Sequence, residues 1–253
     1  MRLPLVLLTF LVFTPTLGGL VVVASLLGVR DRPGGVYDWA ARSWTRILCA
    51  AAGVRIVLHD AERMHHGSAR VFAANHVSWY DVFSLASVLP FTKFVAKTEL
   101  FRIPIFGRAA RAVGSIPIDR DNRKAAFGAY DEAAKRIRGG SSVIVFPEGT
   151  RGRDYRLRPF KKGPFVLAIA AQAPIVPTIV HGTIAVQPRD SWRINPGRVD
   201  VHFLEPVETV GMGYEDRDRL SREVWTRMAT ALHELYGVES QLPSHAGHTA
   251  AAG

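Results

Sequence analysis

His76 and Asp81 stand five positions apart, just after an apolar run at residues 69–74. An imidazole within reach of a carboxylate is what general-base chemistry on a hydroxyl needs, because the carboxylate fixes the tautomer and stabilises the imidazolium that forms. On a continuous helix, residues five apart point about 140° away from each other, so these two side chains meet only across a sharp turn. Ser78 and Asp81 also have the spacing of a capping box, so the alternative interpretation is that Asp81 only ties down a helix N-terminus.

Further polar clusters come at the ends of other predicted strands. Lys97 ends one strand, Asp119 and Arg120 end a second, and the run Glu-Gly-Thr-Arg at residues 148–151 follows a third. In open α/β sheets, ligands bind in the crevice at the carboxyl ends of the strands. One base and several cations facing such a crevice would suit deprotonation of a hydroxyl on a phosphorylated substrate. The sequence has no GxSxG, GxxxxGK[ST], GxGxxG or HExxH motif, which argues against the chemistries that those motifs serve.

An alternation of strands and helices has to position these clusters. Hydrophobic periodicity and turn residues predict strands at residues 54–58, 69–74, 94–97, 113–120, 142–146, 174–180 and 199–204. The same signals predict helices at residues 36–52, 78–89, 101–113, 122–138, 164–171 and 215–236. Strands that alternate with helices indicate an α/β domain with a largely buried sheet.

The N-terminal stretch predicts attachment to a membrane. Residues 3–29 contain no charged side chain and are preceded by Arg2. As a straight helix the stretch would be ~40 Å long, against ~30 Å for the hydrocarbon core of a bilayer. It is longer than the roughly 7–15 apolar residues of a secretory signal, which argues against cleavage. A full span and a half-inserted segment kinked at Pro4, Pro15 and the Gly18-Gly19 pair are both open.

The next predicted helix, at residues 36–52, interleaves Trp39 and Trp44 with Arg42 and Arg46. Indoles and arginines suit the headgroup layer, which predicts a helix lying at the membrane interface. An ordinary amphipathic core helix is the alternative. The chain is thus divided into a membrane-associated helical segment at residues 1–52, an α/β domain at 53–240 and a tail at 241–253, predicted to be disordered.

Composition bounds the partners. The net charge of +10 asks for an anionic partner, which could be nucleic acid, a phosphorylated small molecule or an anionic membrane. Apolar residues at 48% and charged residues at 21% fit a folded protein. Cys49 is the single cysteine, which excludes an internal disulfide and a CxxC metal site. No third ligand stands at a metal-like spacing from His65 and His66, so no metal site is predicted there.

Four ordered motifs resemble those of the 1-acylglycerol-3-phosphate O-acyltransferase family, the PlsC-type lysophospholipid acyltransferases. They are Asn75-His76-x4-Asp81, Gly114-Ser-Ile-Pro-Ile-Asp-Arg120, Phe146-Pro-Glu-Gly-Thr-Arg151 and Ile175-Val-Pro177. Lys97-Thr-Glu-Leu100 resembles the Lys-x-Glu-Leu sequence before the family's second motif. The resemblance implies a single acyltransferase domain with a mixed, largely parallel sheet flanked by helices. It also implies a two-helix membrane anchor ahead of that domain.

The resemblance implies acyl transfer from acyl-CoA or acyl-carrier protein to the free hydroxyl of a lysophospholipid. The expected acceptor is 1-acyl-sn-glycerol 3-phosphate, giving phosphatidic acid, with another lyso-lipid or glycerol 3-phosphate as alternatives. We expect no cofactor besides the acyl donor, no nucleic-acid partner, and a location on the cytoplasmic face of the cell membrane. A non-catalytic binder of anionic lipid would explain the charge and the anchor but not the His–Asp pair. Hydrolysis of the acyl donor is a further alternative, since water can replace the acceptor.

Roles for individual residues follow from the same resemblance. His76 would be the general base and Asp81 its orienting partner. The residues expected to hold the acceptor phosphate are Lys97, Arg120 and Arg151. The residues expected to shape the phosphate pocket are Glu148, Gly149 and Thr150. Asp119 would either orient the adjacent Arg120 or cap the next helix.

Overall fold

The computed structural model describes residues 2–64, 69–119 and 123–241, with the backbone alone for residues 123–127. Its helices are α1 (Leu3–Leu26), α2 (Val36–Ala52), α3 (Trp79–Val88), α4 (Phe106–Ala112), α5 (Arg123–Arg138), α6 (Gly163–Ala171), α7 (Thr183–Val186) and α8 (Arg217–Tyr236). Its strands are β1 (Val54–His59), β2 (Val71–Ala74), β3 (Thr92–Lys97), β4 (Ile116–Ile118), β5 (Ser142–Val145), β6 (Ile175–His181) and β7 (Gly197–Phe203).

The seven strands of the described chain form one mixed sheet in the order β1-β7-β6-β2-β5-β3-β4. Strands β6, β2, β5, β3 and β4 are parallel to one another. Strand β7 pairs antiparallel with β6 and parallel with β1, so β1 and β7 run against the other five strands. The predicted mixed, largely parallel sheet with flanking helices is confirmed.

Both faces of the sheet are covered, which explains why the central strands are almost wholly apolar. Along β2, Val71 and Ala73 join the core layer that includes residues of α6 and α8. Phe72 and Ala74 join the opposite layer, which includes residues of α2 and α3. Successive side chains of a strand point to opposite faces, so a strand buried on both sides has no polar position.

The predicted helix at residues 101–113 is wrong in its first half. A 3-10 helix covers Thr98–Arg102, the chain then extends at Ile103, and α4 begins only at Phe106. The physical reason is Pro104, because a proline disfavours the helical conformation of the residue before it. Ile105 enters α4 with a φ of +63°, a conformation that β-branched residues seldom adopt.

Helices α1 and α2 form a hairpin packed on the domain. Helix α1 continues through Pro15, and its residues Val21 and Ala24 pack against Tyr37 and Ala40 of α2. Its opposite side is open, with Leu11 70% exposed. Within the residues that the structure describes, α1 is the one helix long and apolar enough to cross a membrane, judged by length and composition.

Helix α2 packs as the core interpretation predicts, and its position at a membrane interface stays a prediction. Leu48 and Cys49 are buried in the core layer beneath the sheet, as in an ordinary amphipathic helix. Burial raises the pKa of the Cys49 thiol to about 12, so this cysteine is a core residue rather than a nucleophile. Trp39 is 52% exposed on the outer side, where an interfacial indole would lie.

Two carboxylates of the hairpin attach it to the start of β3. Asp31 lies 2.7 Å from the ammonium group of Lys93, whose side chain is only 3% exposed. Burial lowers the pKa of Lys93, and Asp31 opposes that shift. Asp38 accepts hydrogen bonds from the backbone N–H groups of Gly34 (3.0 Å) and Phe91 (2.8 Å). The loop between α1 and α2 is therefore held electrostatically as well as by packing.

Candidate active site

The polar clusters meet because their strands end along one edge of the sheet. Strand β2 lies between β6 and β5, and all three are parallel. Residues that follow β2 therefore lie between those that follow β6 and β5. His76 follows β2, Glu148 follows β5, and Thr183 follows β6. These three residues all belong to one hydrogen-bonded site.

The turn after β2 is fixed on both sides. The buried Asn75 amide donates to the carbonyl of Val180 (2.9 Å) and accepts from its N–H (2.8 Å), which ties the turn to β6. The backbone N–H of His76 donates to Glu148 Oε1 (2.9 Å), and its carbonyl accepts from the N–H of Gly152 (2.6 Å). The imidazole ring stacks on Phe146 with centroids 4.1 Å apart. The position of His76 is thus set by backbone and ring contacts.

Asp81 faces His76 and caps α3 at the same time. Its Oδ2 lies 2.9 Å from His76 Nδ1 and accepts from the N–H groups of Val77 (2.6 Å) and Ser78 (2.8 Å). The same carboxylate oxygen therefore makes the helix cap and the contact with the imidazole, so the capping and catalytic interpretations are compatible. A neutral imidazole that donates from Nδ1 to this carboxylate has its lone pair on Nε2. The pair has the arrangement of a base with its orienting carboxylate.

The second carboxylate oxygen of Asp81 has a partner that sequence reasoning missed. The buried Thr183 hydroxyl donates to Oδ1 at 2.5 Å. Gly182 makes this approach possible, because it has a φ of +95° and an added Cβ would lie 2.1 Å from the carbonyl oxygen of Arg198. The Tyr155 hydroxyl accepts from the N–H groups of Gly182 (2.8 Å) and Ile184 (3.1 Å). Nothing in the sequence pattern singles out a threonine 102 residues after the aspartate.

Glu148 supports the turn after β2 with its buried carboxylate. Its carboxylate accepts from the His76 N–H and from Nε of Arg158 (3.1 Å). Burial raises the pKa of Glu148, and these hydrogen bonds act against the shift. Arg158 also donates to both the side chain and the carbonyl of Thr150. Sequence reasoning missed Arg158, although a buried glutamate needs a cation and the basic loop at residues 153–162 supplies several.

Arg151 lies apart from Glu148. Its guanidinium sits over the ring of Trp79, 5.0 Å from the centroid, a geometry suited to a cation–π contact. Arg189 donates to the Arg151 carbonyl at 2.5 Å. Both arginines line the same cavity as His76, so two cations stand near the imidazole.

Two cavities adjoin the site. The first has a volume of about 520 Å³ and mostly apolar walls from α1 to α4 and β3, with His76, Arg151 and Arg189 among its polar residues. The second has a volume of about 880 Å³, and its cations are Lys97, Arg102, Lys161 and Lys162. Lys97 and Thr150 line both cavities. The first therefore offers an apolar surface, and the second has four cations against the two carboxylates of Glu99 and Asp119.

Two of the remaining predicted site residues line this basic cavity, and one lies outside the residues that the structure describes. Gly149 and Asp119 line the basic cavity. Gly149 has a φ of +80°, which turns the chain sharply after β5. Arg120 and the neighbouring residues to Asn122 lie outside the described residues, as do His65 and His66. The phosphate-holding role of Arg120 stays a prediction.

Comparison with known proteins agrees with the site. A family model described as acyltransferase matches residues 55–181, just over half of the chain. The 1-acyl-sn-glycerol-3-phosphate acyltransferase of Cocos nucifera is 31% identical over 216 residues, covering 85% of this chain and 67% of that protein. The lyso-ornithine lipid O-acyltransferase of Rhizobium meliloti is 33% identical over 150 residues, covering 59% and 49%.

A solved structure extends the likeness to the whole fold. The crystal structure of the 1-acyl-sn-glycerophosphate (LPA) acyltransferase PlsC from Thermotoga maritima superposes with a TM-score of 0.76 at 27% identity, covering 95% of this chain and all of that one. The chain spans between 39% and 67% of the length of curated relatives that it matches. The resemblance noted in the four sequence motifs is confirmed, and the chain belongs to the acyltransferase family.

Proposed function

We propose that this protein transfers an acyl chain from a thioester donor to the free hydroxyl of a lysophospholipid at a membrane surface. The observation that carries the proposal is the position of the His76–Asp81 pair, next to an apolar cavity that shares Lys97 and Thr150 with a basic one. The relatives' activities support 1-acyl-sn-glycerol 3-phosphate as the acceptor and phosphatidic acid as the product.

In the proposed reaction, Nε2 of His76 takes the proton of the acceptor hydroxyl as its oxygen attacks the thioester carbonyl. The new C–O ester bond forms through a tetrahedral intermediate, the C–S bond breaks, and the proton passes from the imidazolium to the departing thiolate. Asp81 stabilises the transient imidazolium through Nδ1–H. The buried carboxylate stays in place because four donors hold its two oxygens.

The apolar cavity is the proposed seat of an acyl chain. Its walls include Val21 of α1 and Phe83 of α3, and His76 lies at its polar end. A wall made partly by α1 would let a chain pass between lipid and site without crossing water, since burial of methylene groups drives such transfer. The open apolar side of α1 and the exposed Trp39 support membrane attachment, and we propose the cytoplasmic face of the cell membrane.

The basic cavity is the proposed seat of the acceptor phosphate. Lys97 is the cation shared with the apolar cavity, and Arg102 and Lys161 lie further in. Arg151 lines the apolar cavity and follows Thr150, which lines both cavities, so we propose that its guanidinium binds the acceptor phosphate from that side. A guanidinium can bind two phosphate oxygens, whereas an ammonium group acts as a point charge.

The experiment that tests this function is an acceptor and donor panel with the purified full chain. Labelled acyl-CoA and acyl-carrier protein are each offered with lysophosphatidic acid, lyso-ornithine lipid, glycerol 3-phosphate or no acceptor. The proposal expects transfer to lysophosphatidic acid to be fastest, with donor cleavage dependent on the acceptor. Cleavage at the same rate without any acceptor would make the protein a hydrolase and contradict the proposal.

Substitutions then separate the phosphate contact from general structure. Lys97→Ala and Arg151→Ala should each raise KM for lysophosphatidic acid and spare kcat/KM for a neutral monoacylglycerol. Loss of one charge-assisted contact is worth roughly 1.5–3 kcal/mol, or about ten- to a hundredfold in kcat/KM. Arg156→Ala is the matched control. Arg156 is an exposed cation of the basic loop that follows Arg151, and its guanidinium pairs with Asp154 at 3.8 Å. Equal losses with both acceptors would assign these residues to structure.

A further inference from the structure

A second cluster of titratable side chains lies away from His76, on the face of the sheet that α8 covers. In the β1–β7 pair, His59 stands opposite His202 and Val57 stands opposite Asp200. Side chains at alternate positions of a strand share a face, so His59, Asp200 and His202 point the same way. The neighbouring residues Val199 and Val201 point into the opposite core layer.

The ligand atoms of these three residues are already close together. They all lie within 4.8 Å of one another, and His59 Nε2 is 2.7 Å from Asp200 Oδ1. Two ligand atoms of a tetrahedral zinc ion lie about 3.3–3.5 Å apart, since Zn–N and Zn–O distances are about 2.0–2.2 Å, so His59 and Asp200 have to separate slightly and the cluster has to close around the ion. The His59 and His202 rings stack with centroids 4.0 Å apart, so the His59 ring has to turn to bind an ion. It is free to do so because it ends a strand and is 34% exposed.

The surroundings supply one supporting contact and one competitor. The Tyr236 hydroxyl holds one ring nitrogen of His202 at 2.7 Å, the kind of outer contact that metal-bound histidines commonly have. Arg198 binds the Asp200 carboxylate at 2.7 Å from the solvent side, and its own side chain is 60% exposed. An ion that binds Asp200 has to displace this guanidinium, which can move into solvent.

We propose that His59, Asp200 and His202 bind one divalent transition-metal ion, with zinc the best match to two imidazoles and a carboxylate. The three residues line neither of the two cavities beside His76. The ligands come from two adjacent strands, and β1 is the outermost strand of the sheet. The ion would therefore fasten the edge strand to β7 and stabilise the native state, because an unfolded chain does not bring the three ligands together. Spacing in the sequence did not reveal it, since His59 and Asp200 are 141 residues apart.

The test is a zinc titration of the full chain, purified in detergent without a histidine tag and stripped of metal. Calorimetry should give one equivalent of bound Zn²⁺, and Tm should rise with zinc concentration. His59→Gln should remove that equivalent and the zinc-dependent rise in Tm. Arg198→Gln should tighten binding several-fold, because the competing cation is gone. His233→Gln is the matched control, since His233 is an exposed histidine of α8 outside the cluster, and it should bind as the wild type does.

Three results would overturn the proposal. The first is no zinc binding by the wild type. The second is unchanged binding in His59→Gln, which would place the ion on histidines elsewhere, such as His65 and His66 or the tail residues His245 and His248. The third is weaker binding in Arg198→Gln. A melt of metal-free His59→Gln close to that of the wild type shows that the variant is folded, so a loss of zinc is not a loss of the fold.

Discussion

Asp81→Asn separates the helix cap that the structure shows for this side chain from the catalytic role that we propose for it. The carboxylate accepts four hydrogen bonds, from the N–H groups of Val77 and Ser78, from His76 Nδ1 and from the Thr183 hydroxyl. An asparagine can keep three of them with its oxygen in the place of Oδ2. Its amide nitrogen would then face Thr183, whose hydroxyl can turn to accept. The helix cap survives in this variant, and the negative charge beside the imidazole does not.

The expected magnitudes differ for stability and catalysis. A hydrogen bond to a charged group contributes roughly 1.5–3 kcal/mol and one between neutral groups roughly 0.5–1.5 kcal/mol, so the free energy of unfolding should fall by about 2 kcal/mol. That corresponds to a Tm lower by about 4–8 °C in a domain of this size. General-base catalysis contributes typically ~10²–10⁴-fold. Because imidazolium has lost its counter-charge, we expect kcat to fall by at least about a hundredfold with KM for the donor little changed.

The assay measures kcat and KM with labelled acyl donor and lysophosphatidic acid, alongside a thermal melt. Ser78→Ala is the control, because the Ser78 hydroxyl accepts from the Tyr80 N–H (3.2 Å) and donates to the Gln187 carbonyl (2.8 Å) without touching His76. It should cost about 0.5–2 kcal/mol of stability and leave kcat within a few-fold of wild type. If both variants lose stability and activity in proportion, Asp81 is only a cap and the reasoning is refuted.

Three further predictions concern the supports of the site. Thr183→Val should lower kcat about tenfold and Thr183→Ser should restore it, because the hydroxyl that holds Asp81 is worth roughly 1.5–3 kcal/mol; equal rates in the two variants would contradict this. Burial raises the pKa of Glu148 in the folded protein, so the unfolded chain loses this proton first as pH rises. Above about pH 4.5 the wild type should therefore lose stability relative to Glu148→Gln. Parallel Tm–pH curves for the two proteins would contradict this prediction. Asp31→Asn leaves the buried ammonium group of Lys93 without its partner. The free energy of unfolding, measured with denaturant, should fall by about 3 kcal/mol. A fall below about 0.5 kcal/mol would show that water reaches the ammonium group.

The sequence was most informative where local pattern and tertiary burial agree. Helix α2 begins and ends where the periodicity predicts, at Val36 and Ala52, because its capping Gly35 and Gly53 flank an amphipathic run. The placement of functional side chains at the ends of parallel strands was predictable too, since apolar runs that stop at His76 and Glu148 mark the sheet's carboxyl edge. The helix predicted from residue 101 failed because the backbone effect of Pro104 outweighed its apolar spacing.

What the sequence could not supply is contact between distant segments. The phosphate-binding role of Arg151 stays a prediction, and its contact with Trp79 had no signal in the sequence because it depends on how the turn after β5 meets α3. Glu148 was expected to help shape the phosphate pocket, and its hydrogen bonds with the His76 N–H and Arg158 were not predicted. Thr183 reaches Asp81 only through the pairing of β6 with β2. Such partners depend on strand order, and one sequence carries no direct signal for strand order.

The central claim is that His76 is the base, and chemical rescue tests it most directly. His76→Ala is assayed for acyl transfer from labelled donor to lysophosphatidic acid, with and without added free imidazole, and its melt is compared with that of the wild type. Removal of the imidazole ring that stacks on Phe146, with centroids 4.1 Å apart, should lower Tm slightly. The account predicts a fall in turnover of at least ~10²–10⁴-fold, partly restored by imidazole. Turnover near that of the wild type in a folded His76→Ala protein would contradict it.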